Sequence, residues 1–178
     1  ANIRTNVDQS YRAGIELIGA INLSQQWQWQ GNATFSRNRI LNTTYKVNGE
    51  AVEQFETTPI AFSPSVIASS QFAYSPIQGL KAGLQSKYVG EQYLDNTGSN
   101  SRQIDEYLLN NLRLSYSLQD IGLFKEVTAR FHVNNILNVR YANDGYTFAT
   151  QQEGQVSHFN YFYPQADRNY MGSLLIGF

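Results

Sequence analysis

The sequence predicts an all-β chain that forms a segment of an antiparallel transmembrane β-barrel. Three observations lead to this prediction: apolar and polar side chains alternate in seven long runs, the connections between the runs are alternately short and long, and the last run stops on Phe178. Successive side chains of a strand point to opposite faces, so such a run offers one face to lipid and the other to a lumen. A strand of a soluble β-sandwich shows the same alternation, and other features must discriminate between the two.

The seven alternating runs follow one another along the chain. They cover residues 10–23, 27–36, 65–74, 80–88, 108–118, 127–134 and 169–178. In the first run, Tyr11, Ile15 and Leu17 share one face, and Arg12 and Glu16 share the other. Most runs reach the roughly 9 to 11 residues that a tilted strand needs to cross a membrane, whereas strands of globular proteins have about 5 to 6 residues. The length of the runs therefore favours a membrane-spanning sheet.

The connections differ in length from one side of the predicted sheet to the other. Short turns cover residues 24–26, 75–79 and 119–124, and long excursions cover residues 40–60, 95–101 and 138–165. Asn48-Gly49, in the first excursion, favours a type I′ hairpin turn, and Glu153-Gly154 separates two extended pieces of the last excursion, which predicts a second protruding hairpin. Short turns on one side and long loops on the other are typical of outer-membrane barrels.

The composition excludes several classes of protein. With a net charge of -1 and no Cys, the chain lacks the basic clusters of a nucleic-acid-binding protein and the ligands of a cysteine-based metal or catalytic site. No stretch approaches the roughly 18 to 20 apolar residues of a transmembrane helix. The mean hydropathy of -0.41 is compatible with a barrel, because half of the strand residues face the lumen. The first six residues lack the apolar region of a signal peptide, so we expect a mature chain or a fragment.

The odd number of strands has a topological consequence. Bacterial single-chain barrels have an even number of strands, and seven strands would leave two unpaired edges in lipid. Either a further strand lies within residues 1–8 or the long excursions, or the chain is a piece of a larger barrel. The last strand must end on the short-turn side, and counting strands back from it places residues 1–8 at the external end of the first strand. We therefore expect residues 1–178 to be the C-terminal portion of a larger barrel, with a start inside an external loop.

The chain also carries recognisable motifs. They are Asn134-Asn135-Ile136-Leu137-Asn138-Val139-Arg140-Tyr141, then Asp144-Gly145-Tyr146, then Tyr163-Pro164-Gln165-Ala166-Asp167-Arg168-Asn169-Tyr170, and the final strand that ends in Phe178. In order and spacing they resemble the C-terminal end of TonB-dependent outer-membrane receptors. The opening segment, Asn6 to Glu16, resembles a strand found upstream in that family, with Asp8 where Gly often occurs.

The resemblance implies a 22-strand barrel in the bacterial outer membrane, of which this chain would supply the last seven strands. It also implies an N-terminal plug domain, absent here, through which the TonB complex would drive uptake of a scarce ligand. The motifs resemble the Bacteroidetes versions, and the Tyr163 to Arg168 ending is closer to siderophore or haem receptors than to glycan importers. In that family the C-terminal end is also similar to the signal read by the barrel assembly machinery.

The chemistry of the motif residues fits such an ending. Asn134, Asn135 and Asn138 tolerate the left-handed conformation or bond their own backbone, which suits a strand end that turns into a loop. Pro164 is expected to set the backbone just before the last strand. The Phe178 ring is expected at the periplasmic interface.

Candidate functional residues fall into three groups. The lumen face is predicted to carry Arg12, Glu16, Lys81, Lys87, Asp105, Arg113, Arg130 and His132, of which Arg113 and Arg130 are candidate ligand contacts. An aromatic girdle at the membrane boundary is predicted at Trp27, Trp29, Tyr74 and Phe178, with Phe124 nearby. The external aromatic residues Tyr146, Phe148, Phe159, Tyr161, Phe162 and Tyr163 are candidates for stacking on a flat ligand, although facing strands of a hairpin also pack their rings on each other.

We expect no enzyme, cofactor or metal site. The alternation of the sixth run places His132 on the lumen face, away from the lipid surface at which an outer-membrane hydrolase would act. A metal site is not expected either, because His132 and His158 lie on opposite sides of a long loop without a carboxylate at ligand spacing. The alternative function is a soluble β-sandwich binding or adhesion module. In that case a second sheet of the chain would cover the predicted outward face, which comprises Ile15, Leu17, Phe35, Leu84, Leu112, Leu114 and Ile176.

Overall fold

The computed structural model describes residues 7–178, so Asn6 of the opening motif lies outside the described residues. Its strands are β1 (Gln9–Asn22), β2 (Trp27–Val47), β3 (Glu50–Pro59), β4 (Val66–Tyr74), β5 (Leu80–Val89), β6 (Gln92–Tyr93), β7 (Gln103–Ile104), β8 (Tyr107–Ile121), β9 (Phe124–Asn134), β10 (Ala142–Gln152), β11 (Gln155–Pro164) and β12 (Asn169–Gly177), with one 3₁₀ turn at Asn100–Arg102. Within this range no helix is long and apolar enough to span a membrane.

The main sheet is an antiparallel meander in the order β1-β2-β4-β5-β8-β9-β12, with β3 added beside β2. These seven consecutive neighbours are the seven strands that the alternation predicts, so the predicted fold class is confirmed. The 21 residues of β2 serve two partners. Residues 27–35 pair with β4 and residues 39–47 pair with β3, so the β2–β3 hairpin extends beyond the end of β4.

All seven strands direct their apolar side chains to the same face of the sheet. One cross-strand row joins Ile21, Trp29, Phe72, Leu84, Leu112, Val133 and Tyr170. This row lies on the apolar face, where Ile15 is 66% exposed and Leu174 is 62% exposed. In the described part of the chain no second sheet covers that face, because the other two sheets have only two strands each and lie in the long excursions. The sandwich alternative is therefore wrong.

The register of the same row gives the tilt of the strands. The row begins at Ile21, one residue before the end of β1, and finishes at Tyr170, seven residues before the end of β12. If the short-turn ends are level, six residues at about 3.4 Å each, over six spacings of about 4.8 Å, correspond to a tilt of roughly 35°. Strands of transmembrane barrels are tilted by about 35 to 45°. The sheet thus has the shear of a barrel wall, and it is open, because β1 and β12 each have one neighbour among the described strands.

The two hairpin turns that the sequence predicts are present. Asn48 and Gly49 have φ values of 54° and 90° and join Val47 directly to Glu50. The second such turn, at Glu153 and Gly154, has φ values of 50° and 81° and joins β10 to β11. Positive φ at both central residues matches the right-handed twist of the flanking strands, so both hairpins have a fixed register.

The long segments between the wall strands form a packed layer, which we call the external layer. It comprises the β2–β3 hairpin, the connection between β5 and β8, and the β10–β11 hairpin. The buried apolar side chains of the described residues belong to this layer and to the strand ends beneath it: they are Ile40, Val47, Val89, Leu94 and Ile104. The sequence did not predict β6, β7 or the 3₁₀ turn, because the segment around residues 95–101 has the composition of a polar loop. The wall therefore exposes its apolar face, whereas the external layer has a small core.

Two sequence predictions require correction. Asp105 lies between β7 and β8, outside the strand wall, so the alternation of β8 does not place it on the lumen face. Pro164 ends β11 opposite Ala142, five residues before β12 begins, so it does not set the start of the last strand.

Candidate functional site in the external layer

The connection between β5 and β8 ties the external layer together. The Phe62 N–H donates to the carbonyl oxygen of Tyr93 at 3.0 Å, and the Asn96 side-chain oxygen accepts from the Ala61 N–H at 2.7 Å. On its other side, Gln92 donates to the carbonyl oxygen of Asn143 at 3.2 Å. This connection therefore contacts both the segment that follows β3 and the β10–β11 hairpin.

Arg102 is the buried charge at the centre of this layer. Its side chain lies 2.8 Å (Nε) from Asp95 Oδ2, and its Nη2 donates to Thr97 Oγ1 at 2.6 Å. The guanidinium carbon lies 5.6 Å from the centre of the Tyr45 ring, which is within cation–π range. A buried guanidinium needs such partners, because an uncompensated charge in the interior is strongly destabilising.

A cavity of about 360 Å³ opens beside Arg102, between the two hairpins. It is lined by Tyr45, Val52, Glu53, Phe55, Thr97, Ser99, Arg102, Val156 and His158. The His158 and Tyr45 rings stack with centroids 6.0 Å apart. Burial lowers the pKa of His158, and the charge of Arg102 lowers it further against an opposing effect of Asp95. Burial also raises the pKa of the Tyr45 hydroxyl, with Asp95 acting in the same direction.

The hairpin face next to this cavity has an excess of buried polar atoms. Among the described residues, Thr147 Oγ1, Gln151 Oε1, His158 Nδ1 and Asn160 Oδ1 are buried without a hydrogen-bond partner. All four side chains share one face of the hairpin, since Thr147 pairs with Asn160 and the neighbouring pairs alternate. Buried polar groups are usually satisfied, so this face is suited to receive hydrogen bonds from a polar group.

The opposite face of the β10–β11 hairpin carries a ladder of aromatic rings. Tyr146 and Tyr161 stack with centroids 4.9 Å apart, and Phe148 and Phe159 stack at 5.2 Å. Phe148 lies 6.0 Å from Tyr161, and Tyr163 extends the row at 6.2 Å from Tyr146. Each ring is between 40% and 51% exposed. The structure thus brings five predicted aromatic candidates together, packed on each other and open to solvent.

Phe162 does not belong to this ladder. It pairs with Gly145, so it lies on the other face of the hairpin although it is 44% exposed. Phe162 was predicted to belong with its neighbours because all are aromatic, whereas the alternation of β11 places it on the opposite face.

The lumen face carries the predicted charges in register. Arg113 pairs with His132 and donates to Gln85 Oε1 at 3.3 Å. Arg130 pairs with Ser115 and Ser173. The structure places these two arginines in the strand wall and the aromatic ladder on the external hairpin, so they are separate surfaces. Arg12, Glu16, Lys81 and Lys87 lie on the same face by their registers, as predicted.

Two features of the lumen face were not predicted from the sequence. Gln30, Gln71, Gln85 and Asn111 form one cross-strand row of carboxamides, with Gln30 donating to Gln71 at 3.2 Å. Glu126, on β9, also lies on this face, opposite Gln119. Each residue sits at a polar position of its run, but only the register shows that the carboxamides are level.

The predicted girdle residues lie toward the short-turn side of the sheet, where four aromatic rings form two separate pairs. Trp27 stacks on Tyr74 with ring centroids 4.2 Å apart, and Phe178 packs edge-to-face on Phe124 at 5.3 Å. Trp29 donates from Nε1 to Ser70 Oγ at 2.9 Å. Its ring lies over Gly31, where a Cβ atom would stand only 2.8 Å from the ring.

The asparagine motif joins the end of β9 to the start of β12. Asn135 has φ 52° and is 4% exposed. Its side chain bonds both backbone groups of Val139 at 2.9 Å, and its own N–H donates to Asn111 Oδ1 at 2.9 Å. Asn138, with φ 54°, accepts from the Arg168 N–H at 2.8 Å. The predicted left-handed conformation and backbone bonding are present at both residues, while Asn134 remains in β9 and donates to Asn169.

Comparison with known proteins agrees with this geometry. The family model described as TonB dependent receptor-like, beta-barrel, matches residues 1–136. This chain belongs to that family of β-barrels. A search of curated proteins finds no match.

Solved structures share the fold over nearly the whole chain. The siderophore receptor PiuA from Acinetobacter baumannii has a TM-score of 0.69 and 17% identity, over 93% of this chain and 21% of that one. The ferric-catecholate import receptor Fiu from E. coli K12, in its closed form, has a TM-score of 0.63 and 16% identity, over 90% and 20%. The ferric yersiniabactin uptake receptor FyuA from Yersinia pestis has a TM-score of 0.63 and 20% identity, over 94% and 23%. The chain thus spans about a fifth of the length of these receptors.

Proposed function

We propose that this chain is the C-terminal portion of an outer-membrane transport receptor that takes up a scarce ligand with energy from the TonB complex. The observation that carries the proposal is that all seven strands of the main sheet direct apolar side chains to one exposed face and polar side chains to the lumen face. The chain that forms this sheet belongs to the TonB-dependent receptor-like family. A plug domain elsewhere in the receptor would occlude the barrel and contact TonB. Strands from the remainder of a 22-strand barrel would pair with the open edges of β1 and β12.

We propose a ferric siderophore or haem as the ligand. The structural neighbours named above include a siderophore receptor and a ferric-catecholate import receptor, which supports this class. Haem and the catecholate siderophores present flat, conjugated surfaces. The exposed ladder of Tyr146, Phe148, Phe159, Tyr161 and Tyr163 would contact such surfaces at its open ends and edges. Arg113 and Arg130 on the lumen face would attract an anionic ferric complex. Because the C-terminal motifs resemble those of Bacteroidetes receptors, we also propose that the receptor comes from that group of bacteria.

The remaining residues have structural roles in this proposal. Trp27, Trp29, Tyr74 and Phe178 would anchor the periplasmic boundary, because amphipathic rings favour the membrane interface. No catalytic role is proposed: His132 lies on the lumen face between Arg113 and Met171 in the cross-strand row, which does not resemble a hydrolase site.

Deletion of the parent gene tests the transport function. Growth should be lost when a ferric catecholate, a ferric siderophore of another class or haem is the sole iron source, for one of the three and not for the others. Equal growth of mutant and wild type on all three would contradict iron uptake.

Substitution in the ladder tests the contact residues. Tyr161→Leu keeps apolar packing in the hairpin but removes an aromatic face, and we expect uptake to fall about two- to tenfold, since a stacked ring contributes about 0.5 to 1.5 kcal/mol beyond its area. Phe162→Leu is the matched control, because Phe162 is the next residue and equally exposed but faces the other way. Equal uptake by the two variants at equal levels in the outer membrane would exclude the ladder as the contact surface.

A further inference from the structure

Two arginines follow Phe35 on the lipid-facing side of β2. Phe35 pairs with Ile15 and Val66, and this is the last row of β2 in which the residue and its partners on β1 and β4 are all large and apolar. The next two positions on the same face are Arg37, opposite Ala13, and Arg39, opposite Tyr11. Because side chains at every second residue share a face, both guanidiniums lie on the outward side of the sheet.

The height of these arginines follows from the tilt of the strands. A strand inclined by roughly 35° rises about 2.8 Å per residue along the membrane normal. Arg37 and Arg39 therefore lie about 28 Å and 33 Å above Trp27, and the outward apolar band of a transmembrane barrel is about 25 Å tall. With Trp27 at the periplasmic boundary, the two arginines are level with the headgroups of the outer leaflet.

Among residues 7–178, neither arginine has a carboxylate partner. In the part of the chain that the structure describes, the one ion pair joins Arg102 to Asp95. The outward positions of β1, β2 and β4 carry no Asp or Glu, and the outward positions of β3 next to Arg39 are Thr57 and Pro59. Two adjacent cations thus face the lipid without a counterion, and Arg37 is exposed.

We propose that Arg37 and Arg39 bind the phosphate of a lipid headgroup in the outer leaflet. The guanidinium fork matches the oxygens of a phosphate group, and two arginines on one strand face, about 6.8 Å apart along the strand, present two such forks. The acyl chains of this lipid would run down the apolar face past Phe35 and Ile15. This site rests on the proposed position of the barrel in the outer membrane, but it is independent of the transported ligand.

The test uses the intact receptor, purified from the outer membrane in a nonionic detergent, and a diphosphorylated glycolipid as the probe. Each basic residue near an anionic lipid surface contributes about 1 kcal/mol, which is about fivefold in affinity. We therefore expect the double variant Arg37→Gln, Arg39→Gln to bind the probe about 30-fold more weakly, and Arg37→Lys, Arg39→Lys to retain most of the binding. Removal of both phosphates from the probe should weaken its binding to the wild type by a similar factor.

Arg12→Gln is the matched control. Arg12 lies ten residues from the short-turn end of β1, as Arg37 does from that of β2, so the two are about level. Arg12 pairs with Asn38 and therefore lies on the lumen face, where it donates to Ser63 Oγ at 3.1 Å. This variant should bind the probe like the wild type. Three results would overturn the proposal: unchanged binding in the double glutamine variant, an equal loss in Arg12→Gln, or complete displacement of the probe by excess inorganic phosphate, which would indicate a site for the free anion.

The two proposals fail in different ways. Recovery of the wild type outside the outer-membrane fraction would contradict the membrane position itself. Recovery of all variants in that fraction, with unchanged iron uptake and unchanged lipid binding, would contradict only the lipid site.

Discussion

Replacement of Asn135 by Ala should strongly destabilise the end of the barrel wall. The Asn135 side chain holds the N–H and the carbonyl oxygen of Val139 at 2.9 Å each, and it is buried. Loss of two such bonds costs about 1 to 1.5 kcal/mol each, and a left-handed Ala adds roughly 1 kcal/mol of backbone strain. We therefore expect Asn135→Ala to lower the free energy of unfolding by about 3 to 4 kcal/mol.

Two further variants separate these contributions. Asn135→Gly loses the same hydrogen bonds but removes the strain at φ 52°, so it should be about 1 kcal/mol more stable than Asn135→Ala. Asn134→Ala is the control, because Asn134 makes a single side-chain bond, to Asn169, at 2.9 Å. Its effect should stay below about 1 kcal/mol.

Urea unfolding of the intact receptor in detergent, followed by Trp fluorescence, measures these differences. The free energy of unfolding should decrease in the order wild type, Asn134→Ala, Asn135→Gly and Asn135→Ala. An Asn135→Ala variant within about 1 kcal/mol of the wild type would show that water satisfies the backbone groups of Val139 as well as the Asn135 side chain does.

Three further predictions concern the external layer and the girdle. Asp95→Asn should destabilise the external layer by about 3 kcal/mol, because it leaves Arg102 buried with an uncompensated charge; hydrogen exchange should rise across residues 90–104, and unchanged exchange would contradict a structural ion pair. The lowered pKa of His158 means that the unfolded hairpin binds the proton more tightly. Hairpin packing should therefore be complete above about pH 6.5 and weaken as the pH falls through the folded pKa. His158→Gln should abolish this dependence in pH-corrected exchange of residues 142–164, and its persistence would exclude His158 as the cause. Gly31→Val should displace the Trp29 ring, because even a Cβ atom stands 2.8 Å from it, and the Trp emission should shift to the red, whereas Gly172→Val, which meets nothing within 4 Å, should leave the spectrum unchanged.

The strands of the barrel wall were predictable because each one is determined by a pattern within its own stretch of sequence. A strand with one face in lipid must alternate with a period of two, and each run repeats this constraint independently. The turns at Asn48-Gly49 and Glu153-Gly154 were predictable for a similar reason: each pair carries Gly after a residue that accepts positive φ.

The external layer was not predictable because its order arises from contacts between distant segments. Residues 92–104 have the composition of a loop, yet Arg102, Asp95 and Thr97 give them a buried polar centre. The bonds from Asn96 to Ala61 and from Ser101 to Asn160 join positions far apart in sequence. No periodicity in the chain records such pairings.

The candidate site was predictable in composition but not in arrangement. Aromatic residues in the last excursion were identified, whereas the separation of Phe162 from the ladder required the pairing of Gly145 with Phe162. The cavity beside Tyr45 and His158 combines residues from β2, β3, β11 and the β5–β8 connection. The cavity therefore depends on how the β2–β3 and β10–β11 hairpins pack next to each other.

One face of this sheet is expected to contact lipid. Because the chain has no Cys, single Cys substitutions along β8 in the intact receptor give clean sites for spin labels, at Leu112, Arg113, Leu114, Ser115 and Tyr116. Labels at the even positions should collide with lipid-soluble oxygen, and labels at the odd positions should collide with a water-soluble nickel complex, so that accessibility alternates with a period of two. Even positions that are shielded from oxygen, or equal accessibility at both sets of positions, would contradict the account.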